Sequence, residues 1–191
     1  MEQGKLTLIW GGMFSGKTEE MIRRIRREII AGKNAIVFKP TMDKRGSKDL
    51  VESHNGRAIQ AVRVLDSREI LCVIVTEMFN RKLDVVGIDE VQFFDIGLIS
   101  VIEVLMKNGV DVICSGLDMD YKGEAFLVTK ELAPISNECV KLNAVCVDCG
   151  KDAYISHRTV NQEGKVVIGG KDKYVALCKD CNSRRLDKTY R

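Results

Sequence analysis

Three groups of residues in this chain carry chemistry by their types and spacing. The first is GGMFSGKT, Gly11 to Thr18, which fits the pattern G-x-x-x-x-G-K-[ST]. Glycines at that spacing let successive backbone N–H groups turn inward around phosphate oxygens. Lys17 adds a point charge and Thr18 a hydroxyl for magnesium. With a helix N-terminus behind it, the stretch is a phosphate loop for ATP or GTP. The second group is the adjacent pair Asp89 and Glu90, which closes the apolar run DVVGIDE. An acid at the end of a second buried strand suits the magnesium of such a nucleotide, and Asp89 takes that role. The third group is Cys146, Cys149, Cys178 and Cys181, arranged as two C-x-x-C pairs. Four thiolates in two chelating pairs meet the tetrahedral preference of zinc, and an all-sulfur set leaves no open position for catalysis.

The role of Glu90 stays open at this level. In motor-like ATPases and GTPases a carboxylate beside the magnesium aspartate polarises water. In kinases that phosphorylate a hydroxyl, a carboxylate takes the hydroxyl proton as general base. The next residues are VQFF: Gln92 offers an amide, and Phe93 and Phe94 offer flat apolar faces. An amide beside an aromatic suits a nucleobase, with Phe94 expected in the core.

These groups need elements to hold them. LTLIW is a strand before the phosphate loop, and a helix follows from Lys17 to about Ala31. Met21, Ile22, Ile25, Ile29 and Ile30 form its apolar face, Arg23, Arg24, Arg26 and Arg27 its solvated face, and Gly32 its stop. NAIVFKP is a strand ended by Pro40, TMDKRGSKDLVESHNGR a long loop, and RAIQAVRVL a further strand. A helix from Ser67 to Phe79 precedes the strand that carries the acids. DIGLISVIEVLMKNG is a helix stopped at Gly109, and VDVICSGL is another buried strand. This alternation predicts an α/β fold like that of P-loop NTPases, a mostly parallel sheet flanked by helices.

After Pro134 the texture changes to short β-like runs, glycines and cysteine pairs, with no helix-length apolar period. We therefore divide the chain into a nucleotide-binding domain, residues 1–140, and a small zinc-ribbon-like domain, residues 141–191. The interval GKDAYISHRTVNQEGKVVIGGKDKYVAL reads as a glycine-containing loop with both ends held by the metal, which makes it a lid. Cys72, Cys114 and Cys139 stand alone and are expected as core thiols.

Composition narrows the function classes. The chain has 191 residues, of which 45% are hydrophobic, and its 30 basic against 27 acidic side chains leave a net charge of +3. That is too slight for a general nucleic-acid-binding protein. The basic tail NSRRLDKTYR keeps one rival in view, a zinc-ribbon ATPase that acts on nucleic acid. No apolar run reaches the length of a membrane span, and the N-terminus lacks a basic segment before a long apolar one, so a cytoplasmic protein without membrane contact is expected. Seven cysteines, an odd number with four in chelating pairs, point to metal rather than disulfides.

Taken in order, GGMFSGKT, KPTMDKR, SHNGR, GIDEVQFF, GLDMDY, the two cysteine pairs and VVIGGKDKY resemble the zinc-containing (type II) thymidine kinase family, from about residue 5 to residue 181. The resemblance implies transfer of the γ-phosphate of ATP to the 5'-hydroxyl of deoxythymidine, with Mg²⁺ required and dTMP and ADP as products. By position Glu90 then matches the general base and Asp89 the magnesium-associated acid. Gly11, Gly12, Met13, Phe14, Ser15, Gly16, Lys17 and Thr18 match the phosphate loop, with Thr18 sharing the magnesium. Asp43, Lys44 and Arg45 match a further phosphate-side element, and Asp89 to Gln92 a nucleotide-proximal segment. Around the thymine, the matching residues are Met13, Phe93, Leu117, Tyr121 and Phe126. On the covering loop, the family's lasso at about 152–175, they are Ser156, Lys165, Val166, Val167, Ile168, Gly169 and Tyr174. Such a lasso reads the base largely through main-chain groups. A homotetramer, dTTP as feedback inhibitor and no nucleic-acid partner are also implied. Gly12, Val91 and Tyr121 depart from the family's usual proline, glycine and phenylalanine.

Overall fold

The computed structural model describes residues 2–43, 49–53, 56–160 and 169–189. In chain order its elements begin with β1 (Leu6–Gly11), α1 (Lys17–Ile30), β2 (Ala35–Pro40), β3 (Leu50–Glu52), β4 (Ala58–Gln60) and β5 (Val62–Val64). Then come α2 (Ser67–Asn80), β6 (Val85–Ile88), α3 (Gly97–Lys107), β7 (Asp111–Leu117), α4 (Leu127–Ile135) and β8 (Glu138–Leu142). The C-terminal part holds β9 (Ala144–Val145), β10 (Asp152–Ala153), β11 (Ile155–Arg158), β12 (Tyr174–Leu177) and α5 (Lys179–Thr189).

Six strands form the central sheet in the order β5-β2-β6-β7-β1-β8, and every registered neighbour pair in it is parallel. Its short runs are apolar on both faces, as a sheet covered on both sides demands. Leu8, Phe38, Val86, Ile88, Val112 and Cys114 point to one side, where α2, α3 and α4 supply Ile70, Ile74, Leu98, Ile102, Val128 and Leu132. Their alternate neighbours Ile9, Val37, Val85 and Ile113 point to the other, where α1 supplies Met21, Ile22 and Ile25. This is the period of two expected of strands, read out by two different helix layers. Gly87 makes the α1 contact possible, because a Cβ there would collide with Ile25 Cδ1.

Several elements differ from expectation. The last turn of α1 does not bury its isoleucines, and Ile30 is 85% exposed. RAIQAVRVL divides at Ala61: β4 pairs antiparallel with β3, whereas β5 joins the sheet beside β2. The expected long loop therefore contains a strand, too short at three residues to show periodicity. Helix α4 was hidden by Pro134, which sits in its last turn, and α5 has no apolar stripe to announce it. Edge strand β8 runs through position 140. Of the three lone cysteines only Cys114 is a core thiol, its pKa pushed well up by burial. Cys72 and Cys139 are exposed, since α2 and β8 each turn one side to solvent.

Candidate active site

In a parallel sheet all C-terminal strand ends open on one edge, the edge where α/β folds place their ligands. Here β1 delivers the phosphate loop to that edge, β6 delivers Asp89 and Glu90, and β7 delivers Leu117. The loop turns through left-handed residues: Gly11 at φ 147°, Phe14 at φ 65° and Gly16 at φ 85°. Gly16 precedes the first turn of α1 and has open space around its Cβ position, so backbone conformation rather than crowding requires glycine there. Lys17 is buried and its Nζ donates to Gly12 O at 2.7 Å, while Ser15 Oγ donates to the same carbonyl at 2.9 Å. The side chain is thus folded over the loop that would hold phosphates.

Asp89 is 3% exposed and faces α1, where Thr18 Oγ1 donates to its two carboxylate oxygens at 3.3 and 3.2 Å. Ser115 on β7 donates to Asp89 Oδ1 as well. Thr18 and Asp89 are therefore together, as a magnesium site needs, and Ser115 orients the carboxylate. Sequence reasoning missed Ser115, whose only signal was a hydroxyl inside the apolar run VDVICSGL.

Glu90 is 7% exposed and holds a left-handed backbone, φ 53° and ψ 45°. A non-glycine residue there costs on the order of 1–3 kcal/mol, a strain that clusters at functional sites. The kink swings the chain out of β6 into a single 3-10 turn, Val91–Phe93. As a result, adjacent acids serve different neighbours: Asp89 the phosphate loop and Glu90 the Gln92 amide, whose Nε2 donates to Glu90 Oε2 at 2.5 Å. Phe94 enters the core, as expected, while Phe93 stays half-buried.

Asp43 is buried just after β2, and its N–H donates to Pro40 O at 3.0 Å. Beside it lies a residue that the sequence did not flag, Lys39, only 1% exposed, with Nζ donating to Leu50 O at 2.5 Å. Burial lowers its pKa, partly offset by the charge of Asp43. Lys44, Arg45 and the lasso residues Lys165, Val166, Val167 and Ile168 lie outside the described residues.

The four cysteine sulfurs lie within 4.8 Å of one another. Cys149 Sγ and Cys178 Sγ are 3.6 Å apart. A disulfide needs about 2.05 Å. Two thiolates on one tetrahedral zinc with bonds of about 2.3 Å stand about 3.8 Å apart, which the observed spacing fits. Burial raises the Cys146 thiol, but the Cys178, Asp148 and Cys149 amides outweigh it and bring it down to about 6. Burial pushes Cys181 up, and at Cys149 the Lys151 amide is outweighed by the neighbouring thiols, which raise it, so without metal the first thiolate of the set forms at Cys146. β11 and β12 pair antiparallel, from Ile155↔Leu177 to Arg158↔Tyr174, so the chain between them leaves and returns at one place next to the cluster.

This module touches the phosphate loop directly. Ser156 Oγ accepts from Met13 N at 2.9 Å, and the Phe14 side chain packs on the cluster formed by Ala144, Cys146, Ala153, Ala176, Leu177, Cys178 and Cys181. Arg158, another residue without a sequence signal, lies flat on Tyr121 with Cζ 3.6 Å from the ring centroid, and 5.7 Å from that of Tyr174. Tyr121, Tyr174 and Ser156 are thereby gathered from both parts of the chain. Phe126 is buried, Leu117 and Met13 are half-buried, and Gly169 stands where the described part of the chain resumes.

A phosphate loop at the end of β1, an acid on its threonine from β6, and a four-cysteine module against the loop define a nucleotide-using α/β protein with an attached metal-binding unit. The family described as thymidine kinase matches residues 4–182. A thymidine kinase of Bacteroides fragilis is 44% identical over 186 residues, 97% of this chain and 90% of the relative. One of Bacteroides thetaiotaomicron is 44% identical over 182 residues, 95% and 88% of the two chains. One of Pseudothermotoga lettingae is 39% identical over 186 residues, 97% and 98%. The chain belongs to the thymidine kinase family, and with it to the phosphoryl-transferring kinases.

Proposed function

We propose that the protein transfers the γ-phosphate of ATP to the 5'-hydroxyl of deoxythymidine, giving dTMP and ADP. The observation that carries this reading is the separation of two neighbouring acids by the left-handed Glu90 backbone. Asp89 accepts from Thr18 of the phosphate loop, and Glu90 accepts from the Gln92 amide. Water and a hydroxyl acceptor can both use such a second acid, and the four-cysteine module packed against the phosphate loop supports the hydroxyl of a covered acceptor.

The backbone N–H groups of Gly11 to Thr18 bind the phosphates, and Lys17 exchanges its loop carbonyl for phosphate oxygens. Thr18 and Asp89 would hold Mg²⁺, which supplies charge neutralisation across the phosphates when bound. Glu90 accepts the 5'-hydroxyl proton. Phe93, Leu117, Tyr121 and Phe126 wall the base, and the segment between β11 and β12 covers it. Zinc on Cys146, Cys149, Cys178 and Cys181 anchors that segment, which makes residues 141–191 a substrate-covering unit on the nucleotide-binding unit of residues 1–140. Feedback inhibition by dTTP, a homotetramer, a cytoplasmic location and no nucleic-acid partner complete the proposal, on the motif resemblance. No helix among the described residues is long and apolar enough to cross a membrane.

The test is where the label of γ-labelled ATP goes. Label on thymidine supports the reading; label only in inorganic phosphate, with hydrolysis stimulated by nucleic acid, replaces it with the zinc-ribbon ATPase. Glu90→Gln should slow transfer by on the order of 10²–10⁴ while ATP still binds, the span of general base catalysis. Unchanged turnover would remove the base assignment.

A further inference from the structure

Gln92 stands out because its amide is spent inside the protein. Its Oε1 accepts from Leu117 N at 2.9 Å, and its Nε2 donates to Glu90 Oε2 at 2.5 Å. The orientation of the amide is not arbitrary: a backbone N–H can only donate, so the oxygen must face Leu117 and the nitrogen must face Glu90. Both residues are less than a tenth exposed, and the bond between them is buried. The amide therefore bridges the ends of two parallel strands, since Glu90 lies just past Asp89 at the end of β6 and Leu117 closes β7.

The surroundings fix this bridge. Gln92 rides on the 3-10 turn Val91–Phe93, where Phe93 N donates to Glu90 O at 3.0 Å and Phe94 N to Val91 O at 3.1 Å. Val91 is fully buried in the core beneath it. On the β7 side Gly116 leaves room for the amide, because a Cβ there would stand 2.9 Å from Gln92 Oε1. The rotamer of a buried carboxylate is set by its hydrogen-bond partners, and for Glu90 one of them comes from the same turn.

We infer that Gln92 is a positioning residue for the reaction: it holds the Glu90 carboxylate at the angle from which it takes the acceptor proton, and couples that carboxylate to the β7 end that bears the pocket residue Leu117. The inference rests on the proposed base role of Glu90. It assigns the Gln92 amide to the base rather than to the nucleotide or the nucleobase.

Two variants of Gln92 and one of Glu90 test it. Gln92→Leu removes both bonds. Gln92→Glu keeps the shape and the acceptor for Leu117 N but sets a second carboxyl against Glu90, so that the pair shares a proton and the base is occupied. Each should lower kcat by on the order of 10², the cost of a misplaced catalytic group, with the KM values for ATP and thymidine close to those of the unmodified enzyme. In a Glu90→Gln background the same changes should have almost no further effect, because residues that act through one another are strongly non-additive. A merely structural role predicts the opposite, an equal loss in both backgrounds, and that result overturns the inference. So does a raised thymidine KM at unchanged kcat, which would put the amide on the base. If Glu90→Gln is slow but both Gln92 variants turn over normally, this inference alone falls. If Glu90→Gln turns over normally, the base reading falls and takes this inference with it.

Discussion

At the scale of single residues, the place of Asp89 and Glu90 at the end of a buried strand was legible in the chain, but the way they part was not. A left-handed glutamate gives no sign in sequence, and neither does the choice of Ser115 as partner for Asp89 or of Arg158 as cover for Tyr121. Each depends on which strand lies beside which, and a chain read in order does not contain that. Gly116 shows how such neighbours constrain one another. Its Cβ position lies 2.6 Å from Val91 Cγ2 and 2.9 Å from Gln92 Oε1, and both belong to the turn that follows Glu90. Gly116→Ala should therefore destabilise the protein by about 1–3 kcal/mol, the cost of overpacking, and lower kcat more than it changes either KM. Thermal unfolding and steady-state kinetics check this. An alanine variant with the original Tm and kcat would show that the turn yields freely and positions nothing.

At the scale of elements, strong periodicity was easily read, and what escaped was short or polar. β1, β2, β6 and β7 and helices α1 and α3 were all legible, because a buried stripe must repeat to be useful. β3 has three residues and α5 lacks an apolar face, so neither leaves a pattern. Equally invisible was how α2 and α3 are joined at their starts. Asp66 caps α2 by accepting from Arg68 N and Glu69 N at 3.0 Å each. Asp95, just before α3, accepts from Ser67 N at 2.9 Å, Ser67 Oγ at 2.7 Å and Gly97 N at 2.9 Å, pinning one helix start to the other. Burial pushes the Asp95 carboxyl up, yet these donors outweigh it and hold the pKa below the usual range. A folded-state pKa below the unfolded one means stabilisation that is complete above the unfolded value, about 3.9, and is lost as pH falls through the folded one. Asp95→Ala should cost about 1 kcal/mol near neutral pH, as the loss of a cap does, and the deficit should shrink in acid. Urea unfolding at the two pH values decides; an equal deficit in acid would mean that the carboxylate charge contributes nothing.

At the scale of the whole molecule, the sequence suggests two units in series, but the structure shows them sharing the phosphate loop. Phe14 lies in that loop, yet its side chain packs on the cluster that contains Cys146, Cys178 and Cys181, and Met13 N is held by Ser156 Oγ on β11. A metal on the four cysteines would therefore order more than the proposed cover for the acceptor. It would also fix the wall against which the donor loop leans at the left-handed Phe14. Two sites biased by one ordered element are coupled, commonly by about 5- to 150-fold in affinity. Metal removal by a chelator, or Cys149→Ser, should accordingly weaken thymidine and a non-hydrolysable ATP analogue together, each by on the order of tenfold, within that range. The α/β core has its own two apolar layers and should keep its circular dichroism. Titration calorimetry with and without metal separates the possibilities. Loss of thymidine binding alone would reduce the cysteine module to a lid, and full affinity for both ligands in the metal-free protein would show that the Phe14 and Ser156 contacts do not depend on the metal.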